Sequence, residues 1–130
     1  MIKSVLIAGI GGFIGTALRL LISRYVQINY TTVFPWSTFL INIAGSLLIG
    51  IIFGLTEKGD ILTPDWRLFL TVGLCGGFTT FSTLSNDAFM LLQNREFFHF
   101  FLYSGLSFIL GPFAVYVGRL IIKLISLVSH

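Results

Sequence analysis

Residues 66–93 read WRLFLTVGLCGGFTTFSTLSNDAFMLLQ, and how this stretch is read decides the fold. It is mostly apolar and longer than the about 20 residues one helix needs to cross a bilayer. Trp66 opens it with an interfacial aromatic, and Asn94, Arg95 and Glu96 close it in water. Its middle is a weak place for a helix, because Gly73, Gly76 and Gly77 loosen the backbone and Thr79, Thr80, Ser82 and Thr83 offer it side-chain partners. We therefore expect a membrane-spanning helix broken near its centre. Irregular backbone at that depth is tolerated only where protein or a polar cavity surrounds it. Freed carbonyls suit a small dehydrated cation, whereas the hydroxyls can donate to an anion.

Outward from this stretch, apolar runs alternate with polar breaks. Residues 4–25, 37–55 and 97–127 are the other long apolar runs, so the sequence predicts four transmembrane helices in a single all-α membrane domain. Asn29, Thr31, Thr32 and Pro35 mark the first connection, with Trp36 re-entering the membrane. Glu57, Lys58, Gly59, Asp60 and Pro64 mark the second. Gly111 and Pro112 are expected to kink the fourth span. Lys3 ahead of an apolar run has the form of a signal peptide, but no small-x-small cleavage site precedes Arg19, so the run is expected to stay as the first span.

Of the 130 residues, 55% are hydrophobic and 10% charged, against about 25% charged in a soluble domain. Mean hydropathy is +0.96, and so few charges cannot cover a water-facing surface. The net charge of +3 does not indicate nucleic acid, because the basic residues stand singly at the ends of apolar runs, where lipid headgroups anchor them. Lys3, Lys58, Arg67, Arg119 and Lys123 fall on one side, and Arg19, Arg24 and Arg95 on the other. Five against three is a weak orientation bias, compatible with insertion both ways up. Cys75, the single cysteine, excludes an internal disulfide and reads as a small buried thiol. His99 and His130 lie near the interfaces and no catalytic grouping converges, so no enzyme is expected. The first, second and fourth spans hold no acidic residue, and Asp87, toward the far end of the third, is expected near the interface. Passive permeation is favoured over coupled transport.

Individual polar residues carry two readings each. Gly9, Gly11, Gly12 and Gly15 have a dinucleotide-turn spacing, but no strand precedes them, so small-residue helix packing is the expectation. Arg19 either snorkels to the interface or attracts anions to a pore mouth. Asn42, followed by Gly45 and Ser46, either bonds a neighbouring helix or donates to a polar path. Phe81 either packs or turns its electropositive ring edge to an anion. Tyr103 and Ser107 share a helical face and either extend a hydroxyl line or bond back to their own helix.

These residues together resemble the Fluc, or CrcB, family of fluoride channels, over nearly the whole chain. Gly12, Gly15 and Arg19 are similar to its first-span GGxxGxxxR, Asn42 and Gly45 to its NxxG, and residues 76–85 to its GGxTTFSTFS signature. The resemblance implies a passive fluoride channel of the plasma or inner membrane, formed by an antiparallel, dual-topology homodimer in lipid. It also implies a structural sodium ion at the dimer centre, held by the backbone carbonyls of Gly76 and Thr79. By position, Asn42, Phe81, Ser82, Thr83 and Ser107 would line the fluoride path, with Arg19 at the vestibule and Ser85 and Tyr103 as secondary positions. Leu84 departs from the family, which usually places a second phenylalanine there; either Phe81 suffices, or another aromatic such as Phe78 or Phe108 supplies the ring, or conduction is altered. Gly111 stands where relatives commonly carry a hydroxyl. A small proton-coupled exporter relying on Asp87 and a non-conducting membrane scaffold are the competing readings.

Overall fold

The computed structural model describes residues 1–59 and 61–128, so Asp60 and His130 of the readings above lie outside the described residues. Among those described, every regular element is helical. α1 spans Ile2–Asn29 and α2 spans Trp36–Glu57. The third crossing is composite: α3 (Pro64–Leu68), a π-helical segment (Phe69–Cys75), α4 (Gly76–Phe78) and α5 (Phe81–Gln93). α6 spans Phe97–Val128. Four units are long and apolar enough to cross a membrane, and the chain is a multi-pass membrane protein.

Local chemistry sets the boundaries. Tyr30 leaves α1 in an extended conformation, and the Thr32 hydroxyl ties down the short connection by donating to the Phe34 carbonyl at 2.9 Å. Thr63 caps α3 by accepting the Trp66 N–H at 3.2 Å, with Pro64 at the first position, where its missing N–H costs nothing. α6 continues through Gly111 and Pro112, so the proline removes one helical donor, at the Phe108 carbonyl, without ending the helix.

Two ion pairs gather the ends. Lys3 Nζ lies 3.1 Å from Asp65 Oδ2, and Arg119 Nη1 lies 2.9 Å from Glu57 Oε1. The start of α1, the end of α2, the start of α3 and the latter part of α6 therefore share one end of the bundle, as they must when successive crossings alternate in direction.

Between hydrocarbon-soluble helices there is no hydrophobic driving force, so close backbone approach has to hold them together. α2 lies along α6, where a Cβ on Gly118 would collide with the Leu47 carbonyl and fall 2.7 Å from the Ile51 nitrogen. α1 lies on the π segment and α4, where a Cβ on Gly11 would fall 2.6 Å from the Phe69 carbonyl and one on Gly77 2.5 Å from the Gly12 carbonyl. Gly11 and Gly15 of the first span are thus packing residues inside a helix, not a phosphate-binding turn, whereas Gly9 faces open space. An aromatic cluster of Phe34, Phe39 and Tyr103, closed by Leu91, joins α2, α5 and α6. The Phe34 and Tyr103 rings meet edge to face, their centroids 5.4 Å apart.

Gly118→Val should lower stability by about 1–3 kcal/mol, since the added atoms meet backbone that cannot move aside. Gly9→Ala should stay within about 0.5 kcal/mol, because a Cβ there meets nothing within 4 Å. Thermal unfolding in detergent measures both, and equal melting temperatures would contradict the close-approach account.

Candidate functional site

The third crossing stops being a helix at two residues. Thr79 (φ −84°, ψ 157°) and Thr80 (φ −151°, ψ 121°) are extended, between α4 and α5. Gly76 itself is helical, at φ −61° and ψ −39°, so the break lies just beyond the glycine pair. α2 holds the break in place. Asn42 Nδ2 donates to the Thr80 carbonyl at 3.0 Å, and its Oδ1 accepts the Thr80 N–H at 2.8 Å. Gly45 leaves the space that the Thr79 methyl occupies. The Thr79 hydroxyl and N–H both donate to the Cys75 carbonyl at 2.9 Å. Thr80 Oγ1 accepts the Thr83 N–H at 3.2 Å and so caps α5. From α1, Arg19 Nε donates to the Gly77 carbonyl at 3.0 Å.

These bonds redirect the donors of the broken turn. The Thr80 N–H goes to Asn42 instead of the Gly76 carbonyl, and the Thr83 N–H goes to Thr80 Oγ1 instead of the Thr79 carbonyl. Both carbonyls are released from the helical ladder. Gly76 is exposed on the surface of the chain, and among the described residues no cluster of His, Cys, Asp and Glu is suited to a metal. Two neutral oxygens without a carboxylate fit a hard monovalent cation in kind. In number they are too few, since a dehydrated cation needs a fuller oxygen shell.

A cleft of about 270 Å³ opens beside the break, lined by Asn42, Gly45, Ser46, Ile49, Thr79, Thr80, Phe81, Leu84 and Val115. No charged side chain lines it, so polarity comes from an amide, three hydroxyls and the Phe81 ring. That ring is 81% exposed and packs against little of its own chain.

In the comparison with known proteins, residues 6–119 match the family described as "CrcB-like protein, Camphor Resistance (CrcB)". The chain belongs to the CrcB family. It is 45% identical over 125 residues, 93% of its length, to a Flavobacterium psychrophilum protein named "Fluoride-specific ion channel FluC", covering 98% of that relative. It is 46% identical to a Phocaeicola vulgatus protein of the same name, over 89% of this chain and 95% of the relative. For the Chlorobium luteolum protein so named the identity is 42%, over 92% of each chain.

All three CrcB-like motifs converge on the break. Gly12 and Gly15 dock α1 on the π segment and α4 while Arg19 binds Gly77, Asn42 and Gly45 clamp residues 79–80, and residues 76–85 contain the break. The structure brings Asn42, Phe81 and Leu84 to one cleft but spreads the other candidates. Ser82 and Ser85 are exposed on the outer face of α5. Thr83 turns inward to a second cleft of about 260 Å³, shared with Ser23, Gln27, Thr38 and Asp87. Tyr103 is fully buried, its hydroxyl donating to Asp87 Oδ2 at 3.3 Å, and Thr38 also bonds that carboxylate. Asp87 is therefore a half-buried, hydrogen-bonded group at the end of the bundle where residues 30–35 and 94–96 connect the helices. The buried Ser107 hydroxyl has no partner among the described residues. Leu84 packs on the aromatic cluster as well as lining the first cleft, and neither Phe78 nor Phe108 lines that cleft. Sequence reading did not single out Thr80 as cap and clamp partner, Ser46 as a cleft hydroxyl, or Thr38 as a partner of Asp87. The Thr80 signal was present, as a hydroxyl three residues before Thr83 at the start of a helix.

Asn42→Ala should cost about 2 kcal/mol, because it strands one donor and one acceptor of Thr80 in an apolar setting. Asn42→Asp keeps the acceptor and loses the donor. Amide hydrogen exchange at Thr80 should accelerate sharply in the first variant and less in the second, and unchanged protection in Asn42→Ala would show that the clamp is dispensable.

Proposed function

We propose that this chain forms a passive fluoride channel, its relatives being named fluoride-specific ion channels, and that two copies assemble antiparallel around a central sodium ion. The observation that carries the reading is the placement of Phe81. Its exposed ring stands at the break, on the wall of the cleft that also holds Asn42, Ser46 and Thr80. Fluoride is small and strongly hydrated, so removing its water requires several donors close together and no fixed negative charge. Hydroxyls donate directly, and a phenyl edge offers weak positive charge without becoming a salt bridge. Asn42, Phe81, Ser82, Thr83 and Ser107 line the proposed path, Arg19 serves its vestibule, and Ser85 and Tyr103 flank it. Family membership makes the protein a channel and not an enzyme.

The second copy is supported by what one chain leaves uncovered. Phe81, Ser82, Ser85, Asn86, Phe89 and Met90 form one exposed stripe along α5. Hydroxyls and an amide facing lipid are costly, and another protein surface would relieve them. The released carbonyls of Gly76 and Thr79 would hold the sodium ion, and a second copy would double their number. Sodium bound there supplies a positive charge that ties the two breaks together. The near-even split of basic residues supports insertion both ways up.

Proteoliposomes loaded with potassium fluoride test the channel. Adding valinomycin should release fluoride rapidly and chloride not at all, and Phe81→Ile, which keeps bulk and removes the ring edge, should slow the flux at least about tenfold, equivalent to one interaction of about 1.4 kcal/mol. Undiminished flux in Phe81→Ile would make that ring a packing residue. Loss of flux in Asp87→Asn together with dependence on a proton gradient would favour an exporter, and no flux from verified dimers a scaffold.

For the assembly, exchanging sodium for a bulky organic cation should lower the melting temperature of the detergent-solubilised dimer. A tag at the N-terminus should be reachable from both sides of the membrane. A tag confined to one side would exclude dual topology.

A further inference from the structure

At the end of the bundle where α2 and α6 finish, away from the helix break, a cleft of about 390 Å³ opens between these two helices. Its walls include Lys58, Tyr116, Arg119, Leu120 and Lys123, with Glu57 as the one carboxylate. Arg119 is held in place twice, by Glu57 at 2.9 Å and by the Phe53 ring, whose centroid lies 5.6 Å from the guanidinium carbon. Lys58 and Lys123 are exposed, and among the described residues neither forms an ion pair. Among the described residues three cations thus line the cleft with one carboxylate.

The cleft combines cationic and apolar walls. Its cations sit where α2 passes from apolar residues to Glu57, Lys58 and Gly59, the level of the lipid headgroups. Leu120 lies between Arg119 and Lys123 on α6, at the level of the cations, and the exposed ring of Tyr116 stands about one turn nearer the membrane centre. Inorganic phosphate would use the cations and leave the apolar wall idle, whereas a phospholipid uses both.

We propose that this cleft binds the headgroup of an anionic phospholipid, with the phosphodiester among Lys58, Arg119 and Lys123 and an acyl chain along Tyr116 and Leu120. The bound lipid fixes the depth of the α2–α6 end in the bilayer. This site rests on the membrane-spanning architecture alone, so its test is independent of ion conduction.

The full-length chain, released for native mass spectrometry from mixed micelles holding equal phosphatidylglycerol and phosphatidylcholine, should retain phosphatidylglycerol preferentially. Lys58→Gln with Lys123→Gln should weaken that retention about 30-fold, from the attraction of two basic residues to an anionic headgroup. Arg24→Gln with Arg95→Gln, at the other end of the bundle, should leave it unchanged. Equal retention of both lipids, or equal loss in the two double variants, would overturn the site and leave only general attraction to charge. Inorganic phosphate at the same concentration should not displace the lipid, and displacement would reassign the cleft to a free anion.

Discussion

Inside a bilayer every backbone N–H and C=O must find its partner within the protein, and the architecture at Thr79 and Thr80 is an answer to that demand. A broken helix leaves donors and acceptors that water would satisfy in a soluble protein. Here Asn42 satisfies both polar groups of Thr80 at once, because its amide carries a donor and an acceptor on two separate atoms, whereas a carboxylate only accepts and an ammonium only donates. With that clamp in place the Thr80 hydroxyl is free to cap α5, and the Cys75 carbonyl takes the donors of Thr79. The break is thereby a fixed structure and not a loose one.

Bringing Asn42 to the break requires backbones to pass at distances only glycine allows. Gly45 admits the Thr79 methyl, while the glycines of α1 and of the π segment let Arg19 reach the Gly77 carbonyl. Packing and polar chemistry are therefore one design, since a residue that filled the gap at Gly15 or Gly45 would also move the hydrogen-bonding groups. The widened π turn ahead of α4 belongs to this tight region. Its Thr71 hydroxyl donates back to the Arg67 carbonyl at 2.7 Å, a type of bond that distorts helices.

Membrane proteins seldom keep a carboxylate among their helices without a task or a partner. Asp87 has partners in Tyr103 and Thr38, and these place it beside Thr83 and the polar ends of α1 and α2. Polar groups thus occupy two inner clefts and one outer stripe of α5. The helix uses three of its faces, which a short helix can do only where protein covers more than one of them.

Sequence alone determined the four apolar crossings, the weak middle of the third, and the motifs that converge there, because hydropathy and helix-breaking chemistry are local properties. It marked Asn42, Arg19 and Phe81 as residues with something to explain. It left open whether each bonded a neighbour or faced a path, because that depends on what stands opposite. Tertiary structure decided that Asn42 and Arg19 engage backbone of the third crossing, that Phe81 stands exposed while Leu84 packs inward, and that Thr83 and Ser82, adjacent in sequence, serve different surfaces. Helix rotation and depth set these outcomes, and both follow from glycine-to-backbone contacts between segments distant in sequence, which no local pattern encodes.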